Sequence, residues 1–183
     1  VLKKYMNERD EILDVVDSED LIIGKASRVQ VHNNGLMHRS VHILVFNSTR
    51  SLFLQKRSMI KGESPGLWDS SAAGHVESGE DYLNCAKREL EEELSLSDVQ
   101  LDEIMAIPAQ INTLWEHVRV YKCVTDRKVC IDKGEISEGR YFELSEARAL
   151  IQSNTDIFTS TFNHIYVNYI SKLVQACHYQ YSP

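Results

Sequence analysis

The sequence predicts an α/β protein with a mixed sheet flanked by helices, and three patterns support this prediction. The segment VHILVFN (41–47) is a nearly continuous apolar run, which is typical of a central strand covered on both faces. Two other segments, at 79–94 and 159–180, carry apolar residues at helical spacing. The order of the elements alone leaves an α+β arrangement open.

Local signals predict the remaining elements along the chain. Runs of β-branched and apolar residues bounded by polar turns predict strands at 11–17, 21–27, 50–57, 103–111 and 114–124. The run at 50–57 follows 41–47 after a short polar turn, so these two form a hairpin. Helices are predicted at 27–32, ending near Gly35, and from Ser145 onward. Residues 58–66 are predicted to be a loop.

Composition limits the kind of protein that this chain can be. Its 183 residues, 43% hydrophobic and 26% charged, fit one globular domain spanning 1–183. No stretch of about 18 apolar residues is present, so we expect no membrane span. A net charge of −7 argues against a nucleic-acid partner. Four cysteines without a CxxC pair indicate a reduced, cytoplasmic protein.

The segment GHVESGEDYLNCAKRELEEELSLS (74–97) has the clearest helical signal. Ser78 is a suitable N-cap, and Asp81, three residues later, resembles the second half of a capping box. The helix should therefore run from about residue 79 to 94. Its buried stripe is expected to consist of the apolar residues spaced three or four apart, Leu83, Ala86, Leu90 and Leu94.

Glu89, Glu92 and Glu93 lie at positions i, i+3 and i+4 of this helix and share a second face. Like charges at this spacing repel, at a cost of about 0.2–0.5 kcal/mol per exposed pair. A simple solvated face is one interpretation. The other is a site for a hard divalent cation, Mg²⁺ or Mn²⁺, because such ions prefer oxygen ligands and would offset the repulsion.

The same segment resembles the signature of the Nudix hydrolases, G-x5-E-x7-R-E-U-x-E-E-x-G-U, where U is a bulky aliphatic residue. Eight of its nine fixed positions match across residues 74–96, namely Gly74, Glu80, Arg88, Glu89, Leu90, Glu92, Glu93 and Leu96. The departure is Ser95, which stands where the family has glycine. This position ends the helix, so the change affects turn geometry and leaves the carboxylates in place.

The resemblance implies an α/β/α sandwich and hydrolysis of a diphosphate bond in a nucleoside diphosphate linked to another group. It implies that Glu89, Glu92 and Glu93 hold divalent ions, with the Gly74 carbonyl as a further ligand. Arg88 would be structural and would pair with Glu80 or with a metal-binding glutamate. Glu89 and Glu92 would thereby be catalytic, with the metal activating a water molecule.

A general base outside the signature is expected, and three glutamates are candidates for it. Glu135 and Glu138 are preferred, and Glu116 is the third. The resemblance of residues 13–79 to isopentenyl diphosphate isomerase implies that Arg57 and Lys61, which fall near positions that hold the diphosphate in that enzyme, hold the substrate's diphosphate here. Trp68 and Trp115 are candidates to stack on a ring of the substrate, although a core position is the more common place for a tryptophan. The expected partner is a small phosphorylated molecule, and a homodimer is a further expectation.

A second resemblance covers residues 13–79, which are similar to isopentenyl diphosphate isomerase and its hydrolase-like bacterial relatives. In that enzyme histidines bind a metal ion, and His38 and His75 fall on matching positions, with His32 one residue from a third. An equal alternative for His38, His42 and His75 is that they bond to backbone groups near the sheet.

The isomerase also needs a cysteine two residues before the histidine of its GH dipeptide, and Ala73 occupies that place here. The isomerase also has a glutamate pair in the strand that matches residues 113–120, and here only Glu116 lies near those positions. We therefore rank the hydrolase first. The isomerase and a module that binds a phosphorylated ligand without turnover are the alternatives.

Overall fold

The computed structural model describes residues 11–171. Its strands are β1 (Ile12–Val16), β2 (Ile22–Ser27), β3 (His38–Phe46), β4 (Leu52–Arg57), β5 (Trp68–Asp69), β6 (Ala72–His75), β7 (Asp102–Ile107), β8 (Glu116–Val124) and β9 (Ile136–Phe142). Its helices are α1 (Arg28–Asn34), α2 (Tyr82–Leu94), α3 (Leu144–Ser153) and α4 (Ser160–Ile165). A π-helical turn, Tyr166–Ile170, continues α4.

Strand β3 is the centre of the main sheet. It runs parallel to β8 and antiparallel to β4 and β6, so the sheet is mixed, as the sequence predicts. Strands β5 and β9 pair with β4, and β7 pairs with β8. Strands β1 and β2 form a separate antiparallel pair. The predicted hairpin between β3 and β4 is confirmed.

The two faces of β3 pack against different helices, because successive side chains of a strand point in opposite directions. Val41, Ile43 and Val45 belong to a core cluster that includes Ala86, Leu90 and Leu94 of α2. Leu44 and Phe46 belong to a second cluster with residues of α3 and α4, namely Ala147, Ile151, Phe162 and Ile165. The sheet therefore lies between two helical layers, which confirms the α/β/α sandwich.

Helix α2 begins later than predicted. Its N-cap is Asp81, whose carboxylate accepts a hydrogen bond of 2.8 Å from the Asn84 backbone N–H, and the cap prediction for Ser78 was wrong. The preceding Gly79 has φ +87°, which no helix allows, and the Ser78 N–H is bonded to the Ile12 carbonyl. Leu83 is 39% exposed, so this part of the predicted stripe was also wrong.

Other element boundaries also differ from the predicted ones. Strand β7 ends at Ile107 and a 3₁₀ turn follows at Ile111–Thr113, so the predicted strand at 103–111 was too long. Helix α3 begins at Leu144 after Glu143, without a side-chain cap, so Ser145 is not its cap. Strand β9 was not predicted from the sequence. The end of the predicted helix at 159–180, with Cys177, lies outside the described residues.

Within residues 11–171, no helix is both long and apolar enough to cross a bilayer.

Candidate active site

A cavity of about 590 Å³ opens beside β6, where the mixed sheet, α2 and the start of α4 meet. Its wall is rich in charged and polar side chains. The residues of the predicted site that line it are Arg57, Lys61, Gly74, His75, Arg88, Glu89, Glu92, Glu93, Glu116 and Glu135. The fold thus gathers in one place residues that lie up to 78 positions apart in the sequence.

The three carboxylates of helix α2 lie beside strand β6. A Cβ atom added to Gly74 would lie 2.1 Å from Glu89 Oε1, so only glycine lets this side chain pass beneath the strand. Glu93 is 3% exposed, and its Oε2 accepts hydrogen bonds from Gln55 Nε2 (3.0 Å) and the Ala73 N–H (3.1 Å). Glu92 is more open to solvent, as its side chain is 43% exposed. These three residues are called the carboxylate site below.

The positive charges near two carboxylates of this site do not fully offset the effect of burial on their pKa values. Burial, followed by the charge of Glu93, raises the pKa of Glu89 to about 8. Burial, opposed by the charge of Lys61, raises the pKa of Glu93 to about 7. Carboxyl groups with raised pKa values in the wall of a cavity are oxygen donors that a hard divalent cation would stabilise. The residues present therefore fit Mg²⁺ or Mn²⁺.

Arg88 contacts several residues of the signature segment. It bonds Glu80 at 2.9 Å and Glu89 at 2.5 Å, lies 3.6 Å from Glu92, and also donates to the His75 carbonyl. The contact with Glu80 is the ion pair that the resemblance implies. Arg88 therefore links α2 to the β6 strand end.

The cavity also contains the basic residues expected to hold a diphosphate. Arg57 donates to Asp69 Oδ2 at 3.3 Å and to the Glu63 carbonyl at 3.1 Å. Lys61 forms an ion pair with Glu135, which is 6% exposed and lies near enough to Glu93 to raise its pKa. Glu138 is exposed on β9 outside the lining, so of these two preferred glutamates the structure brings only Glu135 to the cavity.

Trp68 lies away from the cavity lining, which contradicts the expectation that it contacts substrate. It is 8% exposed and belongs to the hydrophobic core, where its ring meets Phe142 edge to face at 5.2 Å. Trp115 is 41% exposed and follows Leu114, which lines the cavity.

Four residues from four different elements form a second cluster, the histidine site. His32 of α1, His38 of β3, His75 of β6 and Glu116 of β8 bring their ligand atoms within 4.8 Å of one another. His32 Nε2 lies 3.2 Å from His75 Nε2. Glu116 Oε1 lies 3.4 Å from His75 Nε2 and 3.6 Å from His38 Nε2.

The histidine site also fits a divalent ion. The Nδ1 atom of His38 bonds the Leu36 carbonyl at 2.9 Å, which leaves Nε2 unprotonated in the neutral ring and turned toward the cluster. That Nε2 atom is buried without a hydrogen-bond partner within the described part of the chain. Burial lowers the pKa of His75 to about 3, so this ring is neutral, as a metal ligand must be.

Several site residues were not found by sequence reasoning. Gln55, Asp69 and Thr159 come from separate elements and belong to no motif. The one sequence pattern that indicates site residues outside the motifs lies in β3. There His38, Ser40 and His42 occupy alternate positions and so share one face of the strand.

Comparison with known proteins identifies the family. The NUDIX domain model matches residues 36–162. An uncharacterized Nudix hydrolase of Pseudomonas aeruginosa is 38% identical over 146 residues, which are 76% of this chain and 85% of that protein. The isopentenyl-diphosphate Δ-isomerase 2 of Photorhabdus laumondii is 35% identical over 161 residues, which are 85% and 90% of the two chains.

The fold is also found among solved structures. The crystal structure of DR0079 from Deinococcus radiodurans superimposes with a TM-score of 0.77, covers 86% of this chain and 98% of its own, and is 24% identical in sequence. The match to the NUDIX domain model over residues 36–162 and the 38% identity to the Pseudomonas protein show that the chain belongs to the Nudix hydrolase family.

Proposed function

We propose that this protein is a divalent-metal-dependent hydrolase that cleaves the diphosphate bond of a nucleoside diphosphate linked to another group. The observation that carries the proposal is the carboxylate site at the cavity wall, in which Glu93 is buried, Glu89 is partly buried, and both have raised pKa values. Mg²⁺ is the proposed ion, and Mn²⁺ fits the same ligands.

Each residue has a proposed task. Glu89, Glu92, Glu93 and the Gly74 carbonyl would hold the ions, which supply positive charge to the phosphoryl oxygens and Lewis acidity toward water. Gln55 and Arg88 orient two of these carboxylates through the bonds described above. Arg57 and Lys61 would offset the charge of the diphosphate in a protein of net charge −7.

Glu135 is the proposed proton acceptor. It is buried in the cavity, and its charge acts on Glu93, whereas Glu138 is exposed outside it. Glu116 belongs to the histidine site, where its carboxylate faces His38 and His75. We expect Glu135→Gln to lower kcat more than it changes KM, measured on the best substrate of the panel described next.

The test is hydrolysis of a panel of nucleoside diphosphate compounds with Mg²⁺. We expect Glu92→Gln to reduce kcat/KM at least ~100-fold, since a lost metal ligand removes several kcal/mol of transition-state stabilisation. Glu91→Gln is the matched control, because Glu91 is exposed on the same helix. Absence of cleavage by the wild-type protein, or equal rates for the two variants, would contradict the proposal.

A second candidate is isomerisation of isopentenyl diphosphate, which the assembled histidine site and the Photorhabdus relative favour. Ala73 counts against it because its methyl group carries no exchangeable proton. Formation of dimethylallyl diphosphate by the wild-type protein would reverse our ranking. Metal-dependent binding of a diphosphate without product would favour the third candidate, a non-catalytic binding module.

The cellular location and the partners of the enzyme are also part of the proposal. The thiols of Cys85, Cys123 and Cys130 are free, which supports the expected reducing, cytoplasmic location. Action on a small phosphorylated molecule follows from the family, whereas the homodimer and the absence of nucleic-acid and membrane partners remain predictions.

A further inference from the structure

Asp69 is a buried carboxylate of the cavity wall to which the proposed function gives no task. It is the last residue of the short strand β5, and it is 2% exposed. Its partner across the β4–β5 pairing is Gln55, the residue that bonds Glu93, so Asp69 adjoins the support of the carboxylate site. A buried charge is costly unless it is paired, so the partners of this carboxylate indicate why it is there.

One oxygen of the Asp69 carboxylate is held by three parts of the fold. Oδ1 accepts hydrogen bonds from the Ser70 backbone N–H at 2.8 Å and from Thr159 Oγ1 at 3.0 Å. Thr159 is itself the N-cap of α4, where its hydroxyl oxygen accepts from the Phe162 N–H at 3.2 Å. His42 Nδ1 lies 3.6 Å from the same carboxylate oxygen. These contacts determine the direction in which the second oxygen, Oδ2, points.

The second oxygen of Asp69 holds the guanidinium group of Arg57. Arg57 Nη1 donates to Oδ2 at 3.3 Å, and Arg57 Nε donates to the Glu63 carbonyl at 3.1 Å. A guanidinium group is planar and has five N–H donors, so two fixed contacts determine the direction of the others. Arg57 lines the cavity. Burial raises the pKa of Glu93, and the charge of Arg57 is among those that oppose this rise, so the guanidinium lies near the carboxylate site.

We propose that Asp69 is a positioning residue, which fixes the guanidinium of Arg57 in the direction in which it receives the substrate's diphosphate. The remaining N–H groups of Arg57 then meet the phosphoryl oxygens with little further loss of side-chain freedom on binding. The negative charge of Asp69 acts in the opposite sense, because charge alone would weaken the binding of an anion. This inference rests on the proposed function for the role of Arg57.

Asp69→Asn separates positioning from charge, because the two effects have opposite signs. The amide has one oxygen, so either Arg57 or the donors Ser70 and Thr159 must face its NH₂ group instead. The probe is methylenediphosphonate, a diphosphate analogue that water does not cleave, and its binding in excess Mg²⁺ is measured by calorimetry. We expect D69N to bind it about tenfold more weakly than the wild-type protein, the order of one charge-assisted hydrogen bond. Equal or tighter binding would overturn the inference.

A second background shows whether the effect passes through Arg57. Arg57→Lys keeps the positive charge, but an ammonium group has no plane to be oriented, so adding D69N there should change the affinity less than about twofold. An equal loss in both backgrounds would indicate a merely structural role and would overturn the inference. Asp14→Asn is the matched control, because Asp14 is a second buried carboxylate, 4% exposed, which bonds the Gly79 N–H outside the cavity lining. It should leave the affinity unchanged.

A milder variant keeps the test decisive if D69N melts below the assay temperature. Thr159→Val removes one of the two hydrogen bonds to Oδ1 of Asp69, and Thr159→Ser keeps it. We expect about threefold weaker binding of the probe by T159V and no change in T159S, as for one neutral hydrogen bond. In the Arg57→Lys background T159V should have no effect, and a loss of the same size there would count against the inference.

The failure of this inference and that of the proposed function give different results. On a substrate found with the panel, D69N should raise KM about tenfold and change kcat much less, because it weakens binding throughout the reaction. If no compound of the panel is hydrolysed but D69N still weakens binding of the probe, the proposed function fails and the inference stands. If the panel is hydrolysed and D69N binds the probe as the wild-type protein does, only the inference fails. Absence of probe binding by the wild-type protein would also overturn it.

Discussion

The two candidate metal sites meet at residues 74 and 75 but are built in opposite ways. The carboxylate site comes from one helix, and its oxygens are engaged with Arg88, Gln55 and the Ala73 N–H. The histidine site draws one residue from each of four elements, and its ligand atoms already lie within 4.8 Å of one another. Side chains three or four apart on one helix are neighbours wherever the helix lies, whereas residues from four elements meet only after the sheet has formed.

This difference predicts different responses to change. The carboxylate site depends on close packing between α2 and β6, and its metal affinity should follow the integrity of that contact. The histidine site depends on ligand identity, because its geometry is fixed by the main sheet. The following changes probe these dependences, from the largest expected effect to the smallest.

Gly74→Ala should have the largest effect on the carboxylate site. The new Cβ would lie 2.1 Å from Glu89 Oε1 and 2.2 Å from Glu89 Cδ, so the carboxylate must move. We expect a loss of kcat/KM of roughly 100-fold, as for a displaced catalytic group. Overpacking should also lower the free energy of unfolding by about 1–3 kcal/mol, measured by urea denaturation. Gly24→Ala, where a Cβ meets nothing within 4 Å, is the control.

His75→Asn tests whether the two sites are separable. We expect Mn²⁺ affinity at the histidine site to fall at least about tenfold, measured by calorimetry on the Glu92→Gln background, because one of four ligands is lost. Hydrolysis by the otherwise wild-type chain should fall less than in the Glu92→Gln protein. His164→Asn, outside both sites, should change neither. Equal loss of hydrolysis in both variants would mean that the sites act as one unit.

Gln55→Leu should have a moderate effect. Its amide holds the Oε2 atom of buried Glu93 at 3.0 Å, and leucine keeps the volume while removing this donor. We expect the Mg²⁺ concentration for half-maximal activity to rise, by about tenfold at most, since Gln55 orients a ligand without binding the metal. Gln55→Glu should be worse, because it adds a negative charge beside Glu93. Unchanged Mg²⁺ dependence in both variants would remove Gln55 from the site.

Ser95→Gly should have the smallest effect, and it should stabilise the protein. Ser95 ends α2 with φ 56° in the left-handed region, where its N–H bonds the Glu91 carbonyl at 2.9 Å. Glycine adopts this conformation without the steric cost of Cβ, so we expect a gain of about 1 kcal/mol and a higher Tm. Ser97→Gly, outside the left-handed region, should give no such gain in the same thermal unfolding experiment.

Part of the fold could be read directly from the sequence. The apolar run of β3, its hairpin with β4 and the helical spacing of α2 are local patterns, and each was confirmed within one to three residues. Strand β9 was missed because polar side chains and a glycine at positions 137–140 interrupt its apolar residues, and because it is held by pairing with β4, which local residues do not reveal. Trp68 was a candidate to stack on the substrate because of its residue type, with a core position as the alternative, and its packing on Phe142 decided for the core.

By itself the sequence determined the family, the acidic face of α2 and the Arg88–Glu80 pair, because all of these lie within one short segment whose helical geometry is fixed by backbone hydrogen bonds. The tertiary structure alone decided that Gln55 orients Glu93, that Glu135 and not Glu138 enters the cavity, and that four distant side chains form the histidine site. Those contacts join residues from different elements, and their distances are set by how strands pair and layers pack, which no single stretch of sequence encodes.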